Sequence, residues 1–224
     1  MFLPHLSPDE IPELPSGPRY NIAPTQLIAT VVQKDAARDR QLALARWGLL
    51  PSWAEDFAIG ARMINARSET ADSKPSFKNS FLSRRCLIPA DGYYEWAKTN
   101  VGKQPYLIEP SDGSVAAMAG LWSVNKKLAG ADEPPIVSCT ILTTLSNQTT
   151  SEIHDRMPVF LDSDQYERWL SPEFRDVDVL KSMLRPAADD KLKTTPVSAR
   201  VGNVWNDDSG CVAPVTLTNQ QSLF

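Results

Sequence analysis

Two residues far apart in the chain have side chains suited to acid and base chemistry. Glu95 lies inside the aromatic run "YYEW" (93–96), and His154 lies in "SEIHDRMPVFL", beside Asp155. An imidazole titrates near neutrality, and a glutamate approaches the same range when burial disfavours its charged form. Strand alternation places Glu95 on the face opposite Trp96. These residue types predict a proton-transfer site if the fold brings them together.

Each of these two residues also has an ordinary structural interpretation. Glu95 is equally well read as an edge-strand glutamate that faces water, and His154 as a histidine satisfied by backbone groups. Periodicity and spacing alone leave both alternatives open.

A second pair of polar residues lies in "INARSE" (64–69). Asn65 and Arg67 are two apart, so they share a face if the segment is extended. An asparagine can orient a reacting carbonyl or hydroxyl, and the planar fork of an arginine can hold a phosphate. The alternative is a turn asparagine next to a surface arginine.

Strand signals dominate the first two-thirds of the chain, and helix signals cluster late. Ser52 and Glu55 have the spacing of a capping box, which predicts a short helix, and residues 76–83 predict another. Later, residues 164–170 read as a helix, and Ser171 followed by Pro172 predicts the start of one more. This distribution favours one mixed α+β domain over alternating strands and helices.

Composition narrows the class of partner and the compartment. The net charge of −4 excludes a global basic field, but residues 60–98 carry seven cations against four anions, with tryptophans and tyrosines around them. Cations with aromatic planes suit single-stranded nucleic acid, although such aromatics more often form a core. Three cysteines without CxxC spacing argue against disulfides or zinc. With no signal peptide or membrane-length apolar run, we expect a cytoplasmic protein with no metal and no cofactor.

Taken together, the motifs resemble the SRAP family, the SOS-response-associated peptidases that process abasic sites in single-stranded DNA. The resemblance covers roughly residues 19 to 215, and the combination of "ADGYYEW" with "IHDRMP" is its most specific part. The motifs that carry it, in chain order, are RYNIAPTQ (19–26), RWGLLPSWAED (46–56), INARSET (64–70), KPSFKNSF (74–81), RRCLIPADGYYEW (84–96), AGLW (119–122), CTILTT (139–144), IHDRMPV (153–159) and PVS (196–198).

The resemblance implies a fold, a partner and roles for particular residues. The expected fold is α+β, a single mixed domain with a strand-rich core of barrel-like antiparallel sheets and flanking helices. Its expected limits are 19–215, between an irregular proline-rich segment (1–18) and a tail (216–224). The expected partner is single-stranded DNA with abasic sites, bound by a monomer that joins the nucleoid during DNA damage. By resemblance the catalytic residues are Asn65, Glu95 and His154, and the DNA contacts are Pro24, Trp53, Arg67, Arg85, Trp96 and Arg156.

The family also uses an N-terminal cysteine, exposed when the initiator methionine is removed, to cross-link to the opened abasic sugar through a thiazolidine ring. This chain begins Met1-Phe2-Leu3, and its first cysteine is Cys86, which has no free α-amine. Two explanations compete: a chain truncated by a misassigned start or by design, or a true variant that binds DNA without cross-linking. We favour truncation, because the other chemical positions are intact, and we expect no thiazolidine from the chain as it stands.

Two rival classes remain. One is a non-catalytic module that binds single-stranded DNA. The other is a thiol or serine hydrolase, for which the chain offers no GxSxG elbow and only Ser151 near His154 in sequence.

Overall fold

The fold is strand-rich, with short helices. A computed structural model describes residues 17–35 and 39–217, so most of the predicted irregular segment (1–18) and most of the predicted tail (216–224) lie outside the described residues. The strands of the described residues are β1 (Leu27–Val32), β2 (Gln41–Trp47), β3 (Asn65–Arg67), β4 (Arg85–Ala90), β5 (Tyr93–Thr99), β6 (Gly102–Pro110), β7 (Ala116–Asn125), β8 (Ile136–Leu145), β9 (Arg156–Pro158) and β10 (Leu192–Pro196). Their α-helices are α1 (Ala58–Ala61), α2 (Lys78–Ser83), α3 (Gln148–Ser151), α4 (Tyr166–Leu170) and α5 (Val177–Ser182).

Five strands form a closed barrel-like sheet. β2, β1, β4, β7 and β8 are antiparallel neighbours in that order. A parallel pairing of β2 with β8, at Arg46–Ser138 and Trp47–Cys139, closes the ring. β3 and β9 also pair with β8, at residues after those that close the ring. Four of the described strands therefore hydrogen-bond to β8. This confirms the predicted α+β fold with barrel-like sheets.

The interior of the barrel is filled by alternate residues of the ring strands. Ile28, Ala45, Cys86, Met118 and Cys139, one from each strand, belong to a single buried cluster. The interior is narrow at Gly120 of β7, where an added Cβ atom would lie 2.8 Å from the Cys86 Sγ atom. A side chain at this position would therefore force the strands apart.

The other face of the barrel strands is covered by the helices. Leu87, Leu121 and Leu142 pack there with Phe81 of α2 and Trp169 of α4, all of them buried. Burial of side chains of this size contributes roughly 1.5–3 kcal/mol each, so this layer is a main source of stability.

A second, three-stranded sheet carries one side of the site. β6 pairs with β10 on one edge and β5 on the other, which leaves β5 as an edge strand. Ala97 and Tyr106 of this sheet share a buried cluster with Ile153 and Met157. The sheet therefore packs against the segment that contains His154.

Two of the predicted helix starts are wrong. Residues 52–55 form a turn followed by irregular chain, and the first α-helix begins at Ala58, because the Asn125 side chain binds the carbonyls of Pro51 and Ala54 and shapes that loop. The last helix begins after Asp176, whose side chain accepts the Val179 N–H, and not after Ser171. The segments at 76–83 and 164–170 do contain helices, α2 and α4.

Candidate functional site

Glu95 lies on the face of β5 that packs inward. Tyr93 and Ala97 share its face, and both pack in the cluster that contains Met157. Burial raises the pKa of Glu95 above the usual value for a glutamate, and the charge of Asp155 raises it further. The charge of His154 and the Trp96 N–H oppose that shift but do not cancel it. The environment of Glu95 therefore favours the protonated form of the carboxyl group more than water does.

His154 is held by its own chain between α3 and β9. The backbone N–H of His154 donates to the Thr150 carbonyl, and the backbone N–H of Arg156 donates to the His154 Nδ1 atom at 3.0 Å. The Asp155 Oδ1 atom lies 3.2 Å from the same nitrogen. The Arg156 carbonyl lies 3.3 Å from this nitrogen as well, so Nδ1 faces one donor and two acceptors and can accept or donate according to the tautomer.

The structure brings Glu95 and His154 together. Glu95 lies on β5 and His154 lies 59 positions later, in the loop between α3 and β9, yet the two are near enough for the charge of His154 to lower the pKa of Glu95. Their proximity follows from packing, because β5 lies on the hydrophobic cluster formed partly by Ile153 and Met157, which flank His154. An imidazole beside a carboxyl group of raised pKa can pass a proton in either direction.

Asn65 and Arg67 lie on β3, which pairs in parallel with residues 141–143 of β8. Their positions pair with Ile141 and Thr143, while Ala66 between them is buried in the core. Both side chains are exposed on the face opposite that core. The start of β3 is fixed by the Ile64 carbonyl, which accepts hydrogen bonds from the Trp47 indole and the Ile141 N–H.

Arg156 lies on β9, which pairs with the C-terminal end of β8 on the edge opposite β3. The Arg156 Nε donates to the Thr143 hydroxyl at 3.2 Å, and Nη2 also donates to the Thr143 carbonyl. The two terminal nitrogens bind the two carboxylate oxygens of Glu69, at 3.0 and 2.8 Å. The hydrogen bond from Arg156 lowers the pKa of Glu69, although partial burial opposes this. No sequence motif singles out Glu69, although its position two residues after Arg67 places it on the same face if the strand continues.

Comparison with known proteins identifies the family. The model of the SOS response associated peptidase (SRAP) family matches residues 7–204. The chain belongs to the SRAP family. It is 41% identical over 198 residues to the Abasic site processing protein YoqW of Bacillus subtilis, covering 88% of this chain and 86% of that protein. It is 31% identical to the Abasic site processing protein YedK of Escherichia coli, covering 96% and 94% respectively.

Solved structures and a vertebrate relative extend the comparison. The chain is 34% identical to the Abasic site processing protein HMCES of Gallus gallus, covering 92% of this chain and 67% of that protein. A crystal structure of a protein from Bacteroides thetaiotaomicron superposes with a TM-score of 0.74 at 26% identity, covering 86% of this chain and 82% of the other. A phage-related protein from Bordetella bronchiseptica superposes with a TM-score of 0.64 at 31% identity, covering 82% and 84%.

One DNA contact expected from the SRAP resemblance is wrong. Arg85 is only 1% exposed, and its guanidinium is bound to backbone carbonyl groups inside the protein. These acceptors are the carbonyls of Phe81, Trp169, Ser171 and Phe174. Burial lowers the pKa of Arg85 to about 10, so it stays charged at neutral pH. Its donors face the core, and none is offered to a phosphate.

The other expected SRAP contacts are at the surface. Trp53 and Trp96 are 49% and 37% exposed, and Pro24 is exposed next to Thr25, which has a positive φ of 74°. The Arg46 guanidinium holds that strained residue through the Thr25 carbonyl. Trp96 lies on the face of β5 opposite Glu95, so any contact it makes with DNA is on the other side of the strand from Glu95.

Within residues 17–35 and 39–217, no helix has the length and apolarity needed to cross a membrane. Over the same ranges, no three His, Cys, Asp or Glu side chains come close enough to hold a metal ion.

Proposed function

We propose that this chain binds single-stranded DNA and processes abasic sites in it, with Glu95 and His154 as the acid and base. The observation that carries the proposal is the placement of Glu95, an inward-facing carboxyl of raised pKa, close enough to the His154 imidazole for the charge of the ring to act on the carboxyl. Membership of the SRAP family, and relatives described as abasic site processing proteins, support the choice of substrate.

The pair suits the chemistry of a base-free sugar. Such a sugar is in equilibrium with an open aldehyde, and an amine that adds to this aldehyde must lose water to form an imine. Glu95 in its protonated form donates a proton to the departing oxygen, and His154 removes the proton from the attacking nitrogen. Asn65 orients the sugar through its amide. Arg67 lies next to it on the same face of β3 and holds a flanking phosphate.

The finer mechanism requires a cysteine at the N-terminus, directly after the initiator methionine. After removal of the initiator methionine by self-processing, the α-amine of that cysteine forms the imine with loss of one water. The thiol then adds across the C=N bond, and its proton moves to the nitrogen, which gives a thiazolidine without further loss of atoms. An α-amine has a pKa near 8, so part of it is neutral at physiological pH.

The test compares two forms of the chain on single-stranded DNA with one abasic site. One form has the Met1-Phe2 start, and the other carries Phe2→Cys, which creates a Met-Cys start. We expect both forms to bind reversibly in a native gel, and only the Met-Cys form to give a covalent band on a denaturing gel. In that background, Glu95→Gln should slow adduct formation by about 10²–10⁴-fold, with binding retained.

Each outcome has a clear meaning. Unchanged reversible binding without any adduct from the Met-Cys form supports the non-catalytic single-strand-binding module instead. An adduct that forms at the same rate with Glu95→Gln removes the proposed acid from the mechanism. Failure of both forms to bind single-stranded DNA, abasic or intact, contradicts the proposal as a whole.

A further inference from the structure

The guanidinium of Arg156 is held on two sides. On one side, Thr143 accepts from Nε through its hydroxyl and from Nη2 through its carbonyl. On the other side, the carboxylate of Glu69 accepts from Nη1 and Nη2, with one oxygen for each nitrogen. Four of the five N–H donors of Arg156 are therefore in use.

The Glu69 carboxylate binds the two terminal nitrogens of Arg156, which are the donors that a phosphate would use. Two parallel N–H groups bind two oxygens of a carboxylate or of a phosphate with the same geometry. Arg67 also acts on this carboxylate, since its charge lowers the pKa of Glu69. Two cations thus face one anion, and the cluster keeps one net positive charge.

The two partners of this ion pair differ in their freedom to move. The side chain of Arg156 is 14% exposed, whereas that of Glu69 is 47% exposed. If Glu69 turned outward, Thr143 would still hold Arg156 in place. The carboxylate can therefore leave without loss of the guanidinium position.

We propose that Glu69 is an internal substitute for a DNA phosphate: it occupies the fork of Arg156 in the free protein, and a backbone phosphate displaces it on binding. This inference rests on the proposed single-strand DNA binding and specifies how one of its phosphate sites works. Glu69 lowers the affinity for DNA, because its contacts with Arg156 must be broken first. It also prevents other anions from taking the site when no DNA is bound.

The exchange of anions has a consequence for salt dependence. A phosphate that binds a free arginine releases a condensed cation, which makes affinity fall with salt at a slope of about −0.7 per contact for single strands. When Glu69 is displaced, its freed carboxylate takes up a cation from solution, which offsets that release. The contact with Arg156 should then add almost nothing to the salt slope of the wild-type protein.

The experiment measures binding of fluorescent oligothymidylate over a range of salt concentrations. Glu69→Gln should bind about two- to fivefold more tightly at low salt, since the competing ion pair is lost. Its salt slope should become steeper by about 0.7. The matched control is Glu109→Gln, which makes the same charge change and breaks a 2.8 Å pair with Lys193 in the other sheet. This control should leave the slope unchanged.

A double variant shows whether the effect acts through Arg156. In a chain that already carries Arg156→Met, Glu69→Gln should no longer tighten binding. Weaker or unchanged binding by Glu69→Gln overturns the inference, since Glu69 would then position Arg156 or have no effect. An equal gain in the Arg156→Met background also overturns it. These outcomes leave the proposed function intact as long as the wild-type chain binds, whereas a wild-type chain that binds no single-stranded DNA ends both.

Discussion

Arg85 and Arg156 are the same kind of side chain in two different parts of the molecule. Arg85 lies under the helices that cover the barrel, where it is 1% exposed and bound to the carbonyls of four residues. Arg156 lies at the end of β8, where its acceptors are Thr143 and the exposed carboxylate of Glu69. Backbone carbonyls cannot leave their positions, but a carboxylate on a flexible side chain can. The partner of an arginine, more than its neighbours in sequence, decides whether it is available to a ligand.

The largest effect should come from Arg85. Arg85→Met removes the guanidinium donors of four carbonyls and leaves those of Phe81 and Trp169 inside the protein without them, so the free energy of unfolding should fall by about 3–5 kcal/mol. Urea denaturation measures this change. The control is Arg84→Met, at a partly exposed position where the guanidinium lies 5.7 Å from the Trp122 ring, and it should cost about 0.5–1 kcal/mol. Equal losses for the two variants would remove the distinction between the buried and the exposed arginine.

Arg156 should show the opposite pattern. Arg156→Met should weaken binding to single-stranded DNA by about tenfold, because a charge-assisted contact with a phosphate is lost. The free energy of unfolding should change by no more than about 1 kcal/mol, as expected for a partly exposed ion pair. Fluorescence anisotropy and urea denaturation give the two values. A variant that unfolds easily and binds normally would place Arg156 in the same class as Arg85.

An effect of similar size is expected at the exposed aromatic surface. Trp96→Leu should weaken binding by about 1–2 kcal/mol if the indole stacks on a base. Trp205→Leu is the matched control, since Trp205 is 89% exposed and no motif places it at the site. Both affinities are measured with the same oligothymidylate. If the two variants behave alike, Trp96 is an ordinary surface tryptophan.

The smallest expected effect is on stability, where Glu69 and Glu95 should differ in how their contributions depend on pH. The pKa of Glu69 is lowered in the folded state, so its ion pair stabilises the protein above the ordinary pKa of 4.5 and is lost as the pH falls. The pKa of Glu95 is raised, so its charge costs stability at neutral pH, and this cost disappears on acidification.

Thermal unfolding of Glu69→Gln and Glu95→Gln between about pH 4 and pH 7 checks the direction of each stability change. At pH 7, Glu69→Gln should be less stable than wild type by about 0.2–1 kcal/mol, and Glu95→Gln should be more stable. Both differences should shrink as the pH approaches 4. Differences of the same sign would contradict the assignment of opposite environments to these carboxyl groups.

Part of this arrangement could be read from the sequence. Alternation in "YYEW" places Glu95 opposite Trp96, and the structure has that arrangement. The order of the motifs predicted the barrel-like α+β fold. The structure also places Glu95 near His154, while the catalytic roles of the two residues stay a prediction.

The rest depends on contacts between distant parts of the chain, for which no local signal exists. The acceptors of Arg85 come partly from residues 169–174, more than 80 positions away, so "RRC" does not reveal which arginine is buried. The pairing of Glu69 with Arg156 spans 87 positions. The helix predicted from Ser52 and Glu55 was overridden by Asn125, a residue 70 positions later that fixes the loop.

β8 is the structural centre of the site as well as of the barrel. It hydrogen-bonds to β7 and β9 on one side and to β2 and β3 on the other. Its amide protons should therefore exchange with solvent among the slowest in the protein. Arg67 and Arg156, which we propose to bind phosphates, thus rest on the part of the backbone that should open least often, so a bound DNA strand would meet a rigid frame in which only side chains need to move.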